Sequence, residues 1–227
     1  MQAAGSASWR FEEGDSQLLH LALFFRDAAG LLVPPSPDVP PPLALRMPGR
    51  AEALPAGHRA AAAMQWVTWW RGLVDHELRT ARPRGRDRRG GEGAKTGAKA
   101  TPERWWEVFD PPQFASLKGA PELRSLVAHV HNDAIEWFSR LQFDEARRLE
   151  GGGLFPWLVV RNVAEEVAAD QGILAGNING AVHVLDVTGT WSYPAGPGCA
   201  LCSTTLATDP DSARALLRGV FVSGLEQ

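Results

Sequence analysis

Apolar positions along the chain change period several times, and each change predicts a different element. Trp9 and Phe11 alternate with Arg10 and Glu12, as in a half-buried strand. After a break at Gly14-Asp15 comes LLHLALFF, residues 18–25, whose length suits a strand buried on both faces. A second break at Arg26 to Gly30 precedes Leu31-Leu32-Val33, so residues 8–33 are predicted to form a three-stranded meander. From Pro34 to Pro55 prolines recur too often for a helix or a central strand. This predicts an extended connector on the surface, in preference to a Pro-rich ligand for an aromatic groove.

The period then becomes helical. Ala63, Trp66, Val67, Trp70, Leu73 and Val74 make one apolar stripe over residues 58–80, with Trp69 at its edge. Leu123, Leu126, Val127, Val130, Ala134, Trp137, Phe138 and Leu141 make another over 121–141, begun by Pro121 in the first turn. A short helix is expected from Thr101-Pro102 through Trp105, Trp106 and Phe109, stopped by Pro111-Pro112. A further helix over 155–169 follows from Leu158, Val159, Val163 and Val167, with Gly172 just beyond its end.

Beyond Gly172 the pattern predicts strands. Asn179-Gly180 between Ile173–Ile178 and Ala181–Val187 reads as a type I′ hairpin, because both residues tolerate positive φ. Thr188-Gly189 and residues 194–198 mark two more turns, leaving strands at 190–193 and 199–207. Asp209-Pro210 then caps and starts a helix running to about Arg218. The expected fold is α+β: an antiparallel or mixed sheet from N- and C-terminal meanders, covered by the two long amphipathic helices. Residues 1–227 are expected to form a single domain, with two lobes meeting at Gly151–Gly153 as the alternative.

Charge alters this picture at one place. Residues 82–99 hold seven Lys or Arg, two acids and five Gly, net +5, so the rest of the chain carries −8 against a total of −3. With no large apolar side chain, the tract through residue 100 cannot bury enough surface to offset its ordering entropy, and a disordered basic loop is expected. Arg outnumbers Lys by 20 to 3 and Ile occurs only three times, a usage expected of a high-GC bacterial gene. The first residues lack a basic region followed by an apolar run, and two cysteines are too few for a disulfide framework, so a reducing cytoplasm is the expected location. No apolar run is long enough to span a membrane.

Four groups of residues could carry chemistry. Cys199 and Cys202 form a C-x-x-C that could be a redox pair or half of a zinc site, but the β-branched sequence after them predicts a strand with the two on opposite faces, so they read as small buried hydrophobes. His129-Val130-His131 lies on a predicted helix, where positions 129 and 131 diverge; only His129 with Asp133, four residues apart, could share an ion. In Asp75-His76-Glu77, Glu77 falls within an apolar stripe, which asks for a partner such as His129 or Arg124 on the facing helix. The fourth group is Arg82, Arg84, Arg86, Arg88 and Arg89, flanked by Trp69-Trp70 and Trp105-Trp106, a candidate surface for a partner or for nucleic-acid phosphates. Phosphate-binding glycine motifs and nucleophile elbows are absent from the sequence.

Polar residues with catalytic spacing are scarce, whereas Trp, Pro and a charged loop supply recognition surface. The expectation is therefore a non-catalytic cytoplasmic binding or regulatory protein without a cofactor, its partner being another protein. The first alternative is a metal-assisted hydrolase built on His76, Glu77, His129 and Asp133. The second is non-specific nucleic-acid association through the basic loop.

Overall fold

Strand β1, Arg10–Gly14, is the first element described in the computed structural model, which describes residues 9–45, 55–80, 111–149 and 153–225. No further strand forms over residues 15–33. LLHLALFF lies instead in helix α1, Gln17–Ala28, in which every residue from Leu18 to Arg26 is buried. Ser16 sets the helix by capping: its Oγ accepts from the Leu19 N–H at 3.2 Å. The run contains no β-branched residue, and a helix buried all round shows no amphipathic period, so its apolar pattern resembles that of a buried strand.

Strands β2, Asn179–Leu185, β3, Ser192–Gly196, and β4, Cys199–Ser203, complete a sheet of order β1-β2-β4-β3. β1 and β4 both pair with β2 in parallel, while β3 pairs antiparallel with β4, so the sheet is mixed and neither predicted meander forms. The turn joining β3 to β4 places Gly198 at φ 70°. The strand expected over residues 199–207 ends at Ser203, whose Oγ accepts from the Leu206 N–H and starts the short helix α5, Thr204–Thr208.

The Asn179-Gly180 pair makes no hairpin. It lies inside β2, opposite Arg10 and Phe11 of β1. Gly180 is required there by close packing: a Cβ would stand 2.7 Å from Val220 Cγ1 and 2.9 Å from Phe221 Cδ1, on the last helix. Gly180→Ala is expected to destabilise the fold by about 2 kcal/mol, the usual penalty for overfilling a packed contact. Urea denaturation checks this, and a loss under about 0.5 kcal/mol, the level of an ordinary surface change, would mean the helix shifts freely.

Helix α2 spans Ala56–Thr80 and α3 spans Pro121–Leu149. Trp66, Trp70, Leu73, Leu123, Leu126, Val130 and Phe138 from these helices share one core with α1 and with Leu185 and Leu201 of the sheet. On the opposite sheet face, α4, Trp157–Asp170, and α6, Pro210–Gly224, enclose a second core with Val182, Val184, Ala200 and Cys202. α4 buries Val160, Val163 and Val167 but leaves Leu158 exposed, because Leu158, two residues before Val160, lies about 200° round the helix from it. Asp209 caps α6 through the Ser212 N–H at 2.9 Å, and Pro210 occupies the first turn.

The proline-rich connector is bound to this core. Arg26 donates to the Pro40 and Pro41 carbonyls, Trp70 Nε1 donates to the Asp38 carbonyl, and Leu43 bridges to Val187. Pro40 and Leu43 are consequently buried, so the segment is more than a surface strap. The basic tract at 82–100, the helix expected at 101–109 and residues Gly151 and Gly152 lie outside the described residues. No described helix is long and apolar enough to cross a membrane.

Candidate functional site

The outer edge of β1 is bordered by Trp157 of α4, the most exposed aromatic side chain among the described residues. β1 pairs with β2 alone among the described strands. Arg10 donates its N–H to the Ile178 carbonyl at 3.0 Å, so the main-chain groups of Arg10, Glu12 and Gly14 point toward β2 and, by alternation, those of Phe11 and Glu13 point outward. Side chains alternate as well. Phe11 packs edge-on to Phe155 and Phe221, at centroid distances of 5.3 Å and 6.1 Å, in the core beneath α4 and α6. Arg10 and Glu12 lie exposed on the other face.

Glu13 fixes the helix that borders this edge. Its carboxylate accepts the Leu154 N–H at 2.7 Å and the Phe155 N–H at 3.1 Å, holding the entry to α4 against β1. That places Trp157 over Trp9, with ring centroids 4.6 Å apart, although Trp157 is 62% exposed and Leu158 beside it 60% exposed. Trp9, Arg10, Phe11, Glu12 and Trp157 line an open cavity of about 460 Å³. Because it draws on both faces of the strand, the cavity opens along the edge itself.

A second polar feature lies on the Arg10 and Glu12 face of the sheet. His183 of β2 is largely buried, and neither of its ring nitrogens has a hydrogen-bond partner among the described residues. Burial lowers its pKa, partly offset by the negative charges of Glu77, Asp15 and Glu12 and by the nearby Asp15 main chain. Glu77 also acts on Cys199, whose thiol burial pushes up to about 11; burial pushes Cys202 up to about 12. Both cysteines are free and are held as thiols near neutrality, which suits packing and not nucleophilic attack.

The remaining predicted site residues are distributed as follows. Glu77 projects its charge toward His183 and Cys199 of the sheet, and Arg124 donates from both Nε and Nη2 to the Gln113 carbonyl. His129 is exposed on α3, whereas His76 and Asp133 are half-buried. Among the described residues no three His, Cys, Asp or Glu side chains are grouped so as to hold a metal ion. Cys202 faces the core beneath α4 and α6. Arg82, Arg84, Arg86, Arg88 and Arg89 lie outside the described residues.

Sequence reasoning missed His183. It also missed His20, which is fully buried in α1, with Nδ1 3.0 Å from the Ser16 carbonyl and Nε2 accepting from the Asp186 N–H at 3.3 Å. That pairing assigns His20 the neutral tautomer protonated on Nδ1. Burial lowers its pKa against the opposing influence of the Ser16 carbonyl, Asp15 and Asp186.

Both histidines therefore bind a proton less readily in the folded chain than at the ordinary value of 6.5. Below that value the unfolded chain takes up more protons, so stability is complete above it and declines as pH falls through it. The decline is at most about 1.4 kcal/mol per pH unit for each histidine. The urea midpoint is expected to be flat just above neutrality and to fall below pH 6.5. His183→Leu removes the buried titrating group and should make the acid decline shallower. Equal midpoints for the parent chain at about pH 5 and pH 7 would contradict the assignment.

No known protein family matches the chain, and neither the curated proteins nor the solved structures compared with it include a match.

Proposed function

We propose that this chain is a non-catalytic cytoplasmic binding protein whose contact surface is the outer edge of β1 together with the Trp9 and Trp157 shelf. The observation that carries this reading is Trp157, an indole 62% exposed at the mouth of an aromatic cavity beside outward-pointing main-chain groups. Extended segments add to such edges through main-chain hydrogen bonds, and an adjacent pocket supplies side-chain selectivity. Large aromatic side chains at a water-excluding contact are the groups that contribute most to protein association. The thiol state of both cysteines favours this reading over covalent catalysis.

The test is photocrosslinking in cells, with a photoreactive phenylalanine analogue at position 157 and, as control, at Leu32, which is 92% exposed. A discrete adduct formed from position 157 and not from position 32 is expected. Absence of an adduct at 157, or the same adducts from both positions, would refute the proposal.

A further inference from the structure

We infer that the segment added to β1 is β1 of a second copy of this chain, in antiparallel register about a two-fold axis through Phe11. The inference rests on the reading of the β1 edge as a contact surface and names its occupant.

Three features of the edge agree on that register. The first is the main chain. Phe11 points its N–H and C=O outward, so two copies of Phe11 placed opposite one another exchange both hydrogen bonds, as a hydrogen-bonded antiparallel pair requires. A neighbouring residue at the axis would present inward-facing groups that β2 already uses.

The second is charge. A two-fold axis perpendicular to the sheet keeps each face continuous across the junction, so residues meet partners of the same facing. With Phe11 on the axis, Arg10 opposes Glu12 of the second copy, and Glu12 opposes its Arg10. These are non-hydrogen-bonded pairs, in which side chains approach most closely, and opposite charges there are favourable. Moving the axis to Glu12 would set two carboxylates face to face. The segment Arg10-Phe11-Glu12 is therefore complementary to itself in one register.

The third is apolar surface. On the other face the axis brings two Trp9 and Trp157 shelves to the same junction, each next to Phe11 and each lining its own cavity of about 460 Å³. Glu13 is already bound to the Leu154 and Phe155 amides of its own chain, so this junction adds no unpaired carboxylate to the apolar side.

Sedimentation of the full chain at tens of micromolar tests the inference, and the parent protein is expected at twice 24.6 kDa. Arg10→Glu and Glu12→Arg, each alone, replace two attractive pairs by two repulsive ones and should weaken association by roughly a hundredfold. Together they exchange the charges across the same register and should restore the dimer. Both side chains are exposed, and unchanged melting of each variant establishes that the fold is intact. A residue-level readout accompanies this: on concentrating the protein, the amides of Phe11 and Glu13 should gain protection from hydrogen exchange while that of Arg10, bonded to Ile178, stays unchanged. A monomer at every concentration would overturn the inference, as would a dimer indifferent to the single charge reversals or one the double reversal fails to restore. In any of these cases, a crosslink from position 157 to a different protein would leave the contact surface standing and remove only its assigned occupant.

Discussion

Trp66→Ala is expected to remove about 4 kcal/mol of stability, the upper part of the range for deleting a large buried ring. Trp66 is fully buried on α2 and lies nearly parallel to Trp70, at 5.5 Å between ring centroids and 12° between planes. Its Nε1 donates to the Ala22 carbonyl at 2.7 Å, joining α2 to the centre of α1. The substitution thus opens a cavity at the junction of the two helices and removes the hydrogen bond that registers them. Neighbours can close such a cavity only partly, because Phe24, Phe25 and Trp70 are themselves held by packing on all sides. A domain of this size has roughly 5–15 kcal/mol in total, so the urea midpoint should fall by a large fraction. Trp66→Phe keeps most of the apolar volume and should lose about half as much. A loss below about 1.5 kcal/mol for the alanine variant would show that α1 and α2 are not joined as described.

The second large effect is expected at Arg26. Arg26 is 5% exposed, and its guanidinium forms an ion pair with Asp27 at 2.5 Å and donates to the Pro40 and Pro41 carbonyls at 2.6 Å and 2.8 Å. Asp27 in turn accepts the Leu43 N–H at 2.7 Å, so one ion pair fastens three points of the proline-rich segment to α1. Arg26→Ala leaves a carboxylate without its cation and two carbonyls without donors, for an expected loss of about 3–5 kcal/mol. Arg26→Lys should recover less than half of this, since an ammonium cannot reproduce the planar fork that reaches both carbonyls and the carboxylate. Limited proteolysis gives a local readout: cleavage between residues 34 and 45 should accelerate in both variants. Unchanged cleavage would refute the fastening role.

These two sites are coupled. The Arg26 guanidinium lies 5.3 Å from the centre of the Trp66 ring, a cation-π contact shielded from water. Trp66→Ala and Arg26→Ala combined should therefore destabilise by less than the sum of the single effects, because each already removes part of what the other holds.

The elements most legible in the sequence are those fixed by neighbours in the chain. Asp209-Pro210 starts α6 because an acceptor side chain and a preset φ act within one turn of the residues they stabilise. Gly172, at φ 63°, follows α4 for an equally local reason. Asn179-Gly180 misled because its local turn preference gives way to Val220 and Phe221, forty residues further along. LLHLALFF misled because burial on every side erases the period that would distinguish a helix from a strand. His183 shares a strand face with Ala181 and Leu185, so the alternation in AVHVL contained the signal; its acidic surroundings come from β1, the β1–α1 junction and α2, and no sequence spacing records them. The aromatic shelf was hidden likewise: Trp9 and Trp157 meet only through a β1 carboxylate that binds amides 141 and 142 residues away.

The pairing of β1 with β2 has a consequence for how the chain is made. Arg10 lies opposite Asn179, so β1 has no place beside β2 until the 169 residues that follow Arg10 have been translated. Closing so long a loop delays folding, and the strand stays unshielded throughout elongation. Pairing of β1 is thereby postponed until β2 has been made.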